Sequence, residues 1–202
     1  MNLATRIFAR TAVVALLAVS AAFFAGCGKK DEGGNSADKK EAAEKGKEDL
    51  QKGLESLKAG KAEDAVKSFE KAANDGNSTA MVYLSLCYDT GKGVEENEEE
   101  SKKLVKKSAD AGNVMGKFAA VMNEVQDQKI KPDEAFKKLK ELDADLLKLA
   151  EANDPLAQSL YLILSSMKSQ MEETPEAKLK AAEDVKKWSE KIKESGADKL
   201  FD

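Results

Sequence analysis

Few side chains in this chain of 202 residues are of a type and spacing that could do chemistry. Histidine is absent, which removes imidazole acid–base catalysis, Ser-His and Cys-His nucleophiles and imidazole metal ligands. Cys87 has no histidine to activate it and sits in an apolar helical stretch, where a free cysteine is expected as a small buried hydrophobe. Ser165 and Lys168 give one Ser-x-x-Lys spacing, a four-residue match on an apolar helix. Gly91-Lys92-Gly93 lacks the further glycine of a dinucleotide loop and the Gly-Lys-Ser/Thr of a phosphate loop, so it is expected as a tight turn between helices. Glu95–Glu100 lacks the alternating Asp/Asn and central glycine of a calcium loop. Its carboxylates instead suit the positive end of a helix dipole, with Lys102, Lys103, Lys106 and Lys107 one turn on to pair with them. Asp143 and Asp145 are two apart and point to different faces of a helix, so they are no catalytic pair. No set of nucleophile, base and oxyanion donors emerges, and neither a catalytic residue, a cofactor nor a metal is expected.

The remaining cysteine, Cys27, has a different context. Arg6 and Arg10 precede an apolar stretch from Thr11 to Phe24, and Ala25-Gly26 leads into Cys27 with no acidic residue before Asp31. Charge, length and small-residue exit predict a secretory signal peptide over 1–26, too short to span about 30 Å of hydrocarbon. The run Phe24-Ala25-Gly26-Cys27 resembles the lipobox of bacterial lipoproteins, with Phe24 where that family usually has leucine. The resemblance implies cleavage before Cys27, lipid on its sulfur and acylation of the new N-terminus. Gly28 stands where the inner-membrane retention signal has aspartate, which tilts the expected location to the outer membrane, facing the periplasm. More than one acyl chain, at about 0.8 kcal/mol per buried methylene, gives stable attachment.

Loss of residues 1–26 takes Arg6 and Arg10 with it and moves the formal charge from −4 to −6. That sign argues against nucleic acid as a partner, since binding there rests on Lys/Arg neutralising phosphates. It also offers anionic lipid no attraction beyond the anchor. With Cys27 assigned, Cys87 has no partner for an intramolecular disulfide. Charged residues make up 35% and aromatics 5%, a balance that favours helices over a sheet sandwich.

Residues 27–47, rich in Gly, Ser and both signs of charge, are expected as a flexible tether. From 48 to 202 the apolar residues recur at helical spacing: Leu50, Leu54 and Leu57, then Ala65, Phe69 and Ala72 after the break at Ala59-Gly60-Lys61. Pro132, Pro155 and Pro175 suit first helical turns, and Gly76, Gly112 and Gly196 suit left-handed ends. Lys71-Ala72-Ala73-Asn74-Asp75-Gly76-Asn77 recurs as Lys107-Ser108-Ala109-Asp110-Ala111-Gly112-Asn113 and again as Lys148-Leu149-Ala150-Glu151-Ala152-Asn153-Asp154. Trp188 to Gly196 is a fourth copy, and Ala80, Gly116 and Ala157 stand at one equivalent position after the first three. Such a period predicts an all-α fold, a short α-solenoid of about four stacked helical hairpins, the last two degenerate. Tyr83, Tyr88, Tyr161 and Trp188 are expected to fill its inter-helix core, each worth roughly 1.5–3 kcal/mol on burial.

Leu84, Tyr88, Gly91, Gly93 and Val94 reproduce the pattern Leu, Tyr four later, then Gly-x-Gly-Val, and Asn97, Lys107, Ala109 and Gly112 continue it. Residues 79–112 thereby resemble a Sel-one-like repeat, a relative of the tetratricopeptide repeat, with Ser101 and Leu104 in place of the family's alanine and tryptophan. The hairpin before it is more tetratricopeptide-like. The expected function is a lipid-anchored envelope module that binds a protein or peptide on a concave helical surface. Residues along 80–90, 115–125 and 157–169 are its expected lining, with Met81, Lys117 and Asn123 as candidate contacts. Two alternatives stand beside it. One is binding or hydrolysis of cell-wall-related compounds, as the resemblance implies for cysteine-paired members, although this chain lacks their paired cysteines. The other is a purely structural subunit of an envelope complex.

Overall fold

The computed structural model describes residues 36–195, with side chains from Gly46 onward. Among the described residues there are nine helices and no strand. The helices are α1 (Ser36–Lys58), α2 (Ala62–Asn74), α3 (Ser78–Thr90), α4 (Glu98–Asp110), α5 (Val114–Gln126), α6 (Pro132–Lys140), α7 (Asp143–Glu151), α8 (Pro155–Met171) and α9 (Pro175–Ser195). Each packs mainly on its neighbours in the chain, which makes the molecule an all-α solenoid. The hairpins are α1/α2, α3/α4, α5 with α6–α7, and α8/α9. In the third, the return helix is interrupted at Glu141–Leu142.

Helix α1 starts at Ser36, so its first turns lie inside the segment 27–47 expected as a tether. Cys27, the signal segment and Gly196 lie outside the described residues. No helix among the described residues is long and apolar enough to cross a membrane.

Local sequence explains the helix ends. Asn77, Asn113 and Asp154 cap α3, α5 and α8, each side chain accepting a hydrogen bond from the backbone N–H of Ala80, Gly116 or Ala157. Before each cap stands a left-handed residue, Gly76 (φ 86°), Gly112 (φ 85°) or Asn153 (φ 65°). The N–H of the cap residue then bonds a carbonyl five residues back: Asn77 to Ala72, Asn113 to Ser108, Asp154 to Leu149. One turn geometry, combining a C-terminal left-handed cap with an N-cap, therefore joins successive hairpins three times. Pro132 and Pro155 occupy first helical turns and Pro175 opens α9, as their missing N–H groups predict.

A single apolar cluster runs from Leu57 to Trp188. Two glycines shape it where the sequence reads only as helix. A Cβ on Gly53 would lie 2.3 Å from the Phe69 ring, so that glycine lets α2 seat its phenylalanine against α1. A glycine within a helix costs about 0.5–1 kcal/mol relative to alanine, and the buried ring offsets it with roughly 1.5–3 kcal/mol. A Cβ on Gly116 would lie 2.4 Å from Ser108 Oγ, which records how closely α5 crosses α4.

Candidate functional site

Helix α3 is the centre of the molecule and the most sequestered helix: none of its residues is exposed. Val82, Tyr83, Leu84, Ser85 and Cys87 are buried, so residues 80–90 are mostly core rather than lining. Phe69 stacks on Tyr83 with ring centroids 5.4 Å apart. On its other side the Tyr83 hydroxyl donates to Asp154 Oδ1 at 3.1 Å and accepts from the Leu156 N–H at 3.3 Å. Those partners lie at the start of α8, two hairpins further along. Contact between non-adjacent hairpins requires tight curvature, because only the inner side of a solenoid has an arc short enough. At Tyr83, α3 thus meets the chain's own α7–α8 turn.

Burial sets the electrostatics here. It raises the Tyr83 phenol well above its ordinary value, with the Asp154 charge adding to the effect. Asp154 is itself raised by burial, against the lowering effect of bonds from Ala157 N–H, Tyr83 OH and Leu156 N–H. Cys87 is wholly buried, and desolvation pushes its thiol up to about 12 despite nearby Lys92. A thiol held neutral and out of solvent is no nucleophile.

The α8/α9 hairpin holds a second polar group. Tyr161 is buried edge-on to Trp188 at 5.6 Å, its hydroxyl 3.5 Å from Asp184 Oδ2. Burial, then Asp143 and Asp184, raise its phenol. Lys191 lies 4.7 Å and Lys187 5.5 Å from the Trp188 ring centre. Lys168 binds Asp143 at 2.8 Å, and Ser165 is wholly buried. The Ser165–Lys168 spacing therefore pairs an inaccessible hydroxyl with an engaged ammonium and has no catalytic geometry.

The remaining sequence candidates are placed as follows. Gly91 and Gly93 have φ of 66° and 76° in the α3–α4 turn. A Cβ on Gly93 would meet the Ala62 carbonyl carbon at 2.4 Å, so this turn abuts the start of α2. Glu98, Glu99 and Glu100 fill the first turn of α4, with Lys102 on Glu98 at 2.7 Å and Lys103 on Glu100 at 2.9 Å. Ser101 is buried, and Asp89 near it has its carboxyl raised by burial, an effect the Ser101 hydroxyl opposes. Asp143 is half-buried and Asp145 exposed. Trp188, Tyr83 and Tyr161 are core, and Tyr88 is half-buried against it.

Of the groove candidates, Met81 is half-buried against the core, Asn123 is half-buried and Lys117 is exposed. A shallow, open depression at the α1–α2 turn is lined by Lys52, Glu55, Ser56, Ala59 and Lys61. Among the described residues no group of acidic or thiol side chains could hold a metal ion. The tie between Tyr83 and Asp154 was missed from sequence. Its one signal is that Asp154 is acidic where Asn77 and Asn113 carry amides.

No protein-family model matches the chain. Over 49 residues, 24% of this chain, it is 45% identical to DAP3-binding cell death enhancer 1 of Rattus norvegicus. That stretch is 10% of the rat protein, so the chain spans about a tenth of the length of the relative it matches.

Proposed function

We propose that this chain is a lipid-anchored protein of the bacterial cell envelope that works by holding a protein or peptide partner on its helical repeat surface, and that it carries no catalysis of its own. The stacked hairpins carry the reading, because a solenoid offers a long side-chain surface without needing a cavity. The likeness of residues 79–112 to a Sel-one-like repeat supports it. So do the left-handed Gly91 and Gly93, which give that pattern's glycines a physical reason. The rat relative is named for binding DAP3, and protein contact is the property we carry over.

With α3 sequestered, the partner surface falls on α5 and α8. Lys117, exposed on α5, and Asn123, half-buried and about 120° around the same helix, are its candidate contacts there, with Ser159, Leu162, Ser166 and Gln170 following one stripe of α8. Met81 contributes to the core beneath. Attachment is through lipid on Cys27 after cleavage at residue 26, at the periplasmic face of the outer membrane.

The buried Cys87 makes the anchor testable by thiol titration beside intact mass and membrane fractionation. A lipidated native protein shows no fast thiol when folded and one when denatured, and the Cys27→Ala variant is unlipidated and either keeps residues 1–26 or leaves the membrane fraction. A soluble, unmodified protein with one fast thiol when folded and two when denatured overturns the anchor. Pull-down from detergent extract tests the surface: a partner whose recovery falls at least tenfold with Lys117→Ala/Asn123→Ala supports it. A stoichiometric membrane-complex partner indifferent to those changes favours a structural subunit.

A further inference from the structure

The packing is uneven along the chain. Neighbouring helices lie along one another through α1–α5 and through α7–α9; α6 makes only a smaller contact with α5, and α5 and α6 together meet α7 and α8 through small areas. The return helix of the third hairpin is interrupted at Glu141–Leu142, on this seam. Across it run the two hydrogen bonds of Tyr83 to the α7–α8 turn and a surface ion pair, Lys140 to Glu172 at 2.9 Å. One turn after Asp154, Gln158 is 2% exposed; its Nε2 donates to Ala150 O at 3.3 Å while its Oε1 has no partner. Burying such an acceptor unpaired is unfavourable, and access to water removes the penalty.

We infer that Tyr83 and Asp154 form a clasp across a hinge at Glu141–Leu142, and that α7–α9 swings off α1–α6 as a unit when the clasp opens, before either part unfolds. Opening uncovers the inner side of α3 and hydrates Gln158 Oε1. Closure regains the two hydrogen bonds and the apolar contacts around Tyr83. The inference concerns motion within this chain and stands apart from the identity of any partner. Burial of the Asp154 carboxyl points the same way, since an open clasp returns it to water.

The test is a distance measurement on the full chain carrying Cys27→Ser, with spin labels at Lys67→Cys on α2 and Lys186→Cys on α9. Both positions are exposed, and mass confirms two labels with Cys87 unreacted. In low urea, a second, longer distance is expected before helix content falls. Tyr83→Phe should raise that population at least fivefold. Asp154→Asn, which keeps an acceptor for the hydroxyl, should not. A single distance that changes only together with helix loss, in this background and in Tyr83→Phe, overturns the hinge. Should Tyr83→Phe fail to fold, the urea series on the otherwise native chain decides by itself.

Discussion

The turns at Gly112-Asn113 and Asn153-Asp154 have the same backbone and opposite side-chain chemistry. In both, a left-handed residue ends one helix and the next residue caps the following one. Asn113 has an amide to spare: its Nδ2 donates to Ser78 Oγ at 3.2 Å and Thr79 Oγ1 at 3.0 Å, stitching α5 to the start of α3. Asn77 does the same one hairpin earlier, donating to the Gly46 carbonyl at 3.0 Å. Asp154 has only acceptors and takes the Tyr83 hydroxyl instead. The amide caps tie each hairpin to the one before it, whereas the carboxylate cap ties the fourth to the second. A one-atom change in cap chemistry thus accompanies the change from regular stacking to inward closure.

The comparison can be broken most severely at Gly116, the residue capped by Asn113. Gly116→Ala should cost roughly 2–3 kcal/mol through overpacking against Ser108, seen as a lower urea midpoint. Ser108→Ala in the same chain should recover part of it, less the Ser108 hydroxyl's bond to the Ser78 carbonyl. Equal midpoints for Gly116→Ala and the native chain would mean that α4 and α5 do not approach this closely.

Asn113→Ala removes both the cap and the stitch and should destabilise by about 1–2 kcal/mol. Asn113→Asp keeps the cap acceptor and loses only the amide donors. It should fall between the two, and thermal melts rank the three chains.

Asp154→Asn sharpens the contrast through pH. Burial raises the Asp154 carboxyl, so the folded state favours its neutral form. This group's contribution to stability is complete below the ordinary carboxylate value and is lost as pH rises through the raised one. Relative to Asp154→Asn, the native chain should lose stability with rising pH across that range, while at neutral pH the variant is equal or more stable. A difference in urea midpoint that stays flat with pH would show the carboxylate to be solvated.

The smallest effect belongs to Asn153→Gly, which converts the third turn to the glycine of the other two. Relief of a left-handed non-glycine is offset by added freedom of the unfolded chain, so the change should stay within about 1 kcal/mol. A larger gain would mean that Asn153 is strained.

The helices were legible because their signals are local. Apolar spacing, three prolines, left-handed glycines and a recurring seven-residue end each act within a turn or two, and those marks lie where the described helices begin and end. The acidic start of α4 and its lysines were legible for the same reason. The candidate site was far less so. Residues 80–90 were expected to line a partner surface, yet Tyr83 of α3 stacks on Phe69 of α2 and is hydrogen-bonded by the α7–α8 turn. Gly53 and Gly116 read as weak points in helices until their neighbours, Phe69 and Ser108, are placed.

The sequence by itself determined that this is an all-α chain of repeated hairpins without histidine chemistry. Those properties follow from composition and from interactions between residues a few positions apart. Only the tertiary structure decided how the repeats curl, what fills their inner side and which cap reaches across. Beyond the carboxylate that Asp154 carries where Asn77 and Asn113 have amides, nothing in the local sequence marks its hydrogen bond with Tyr83, because that bond depends on the summed angles of every hairpin between them.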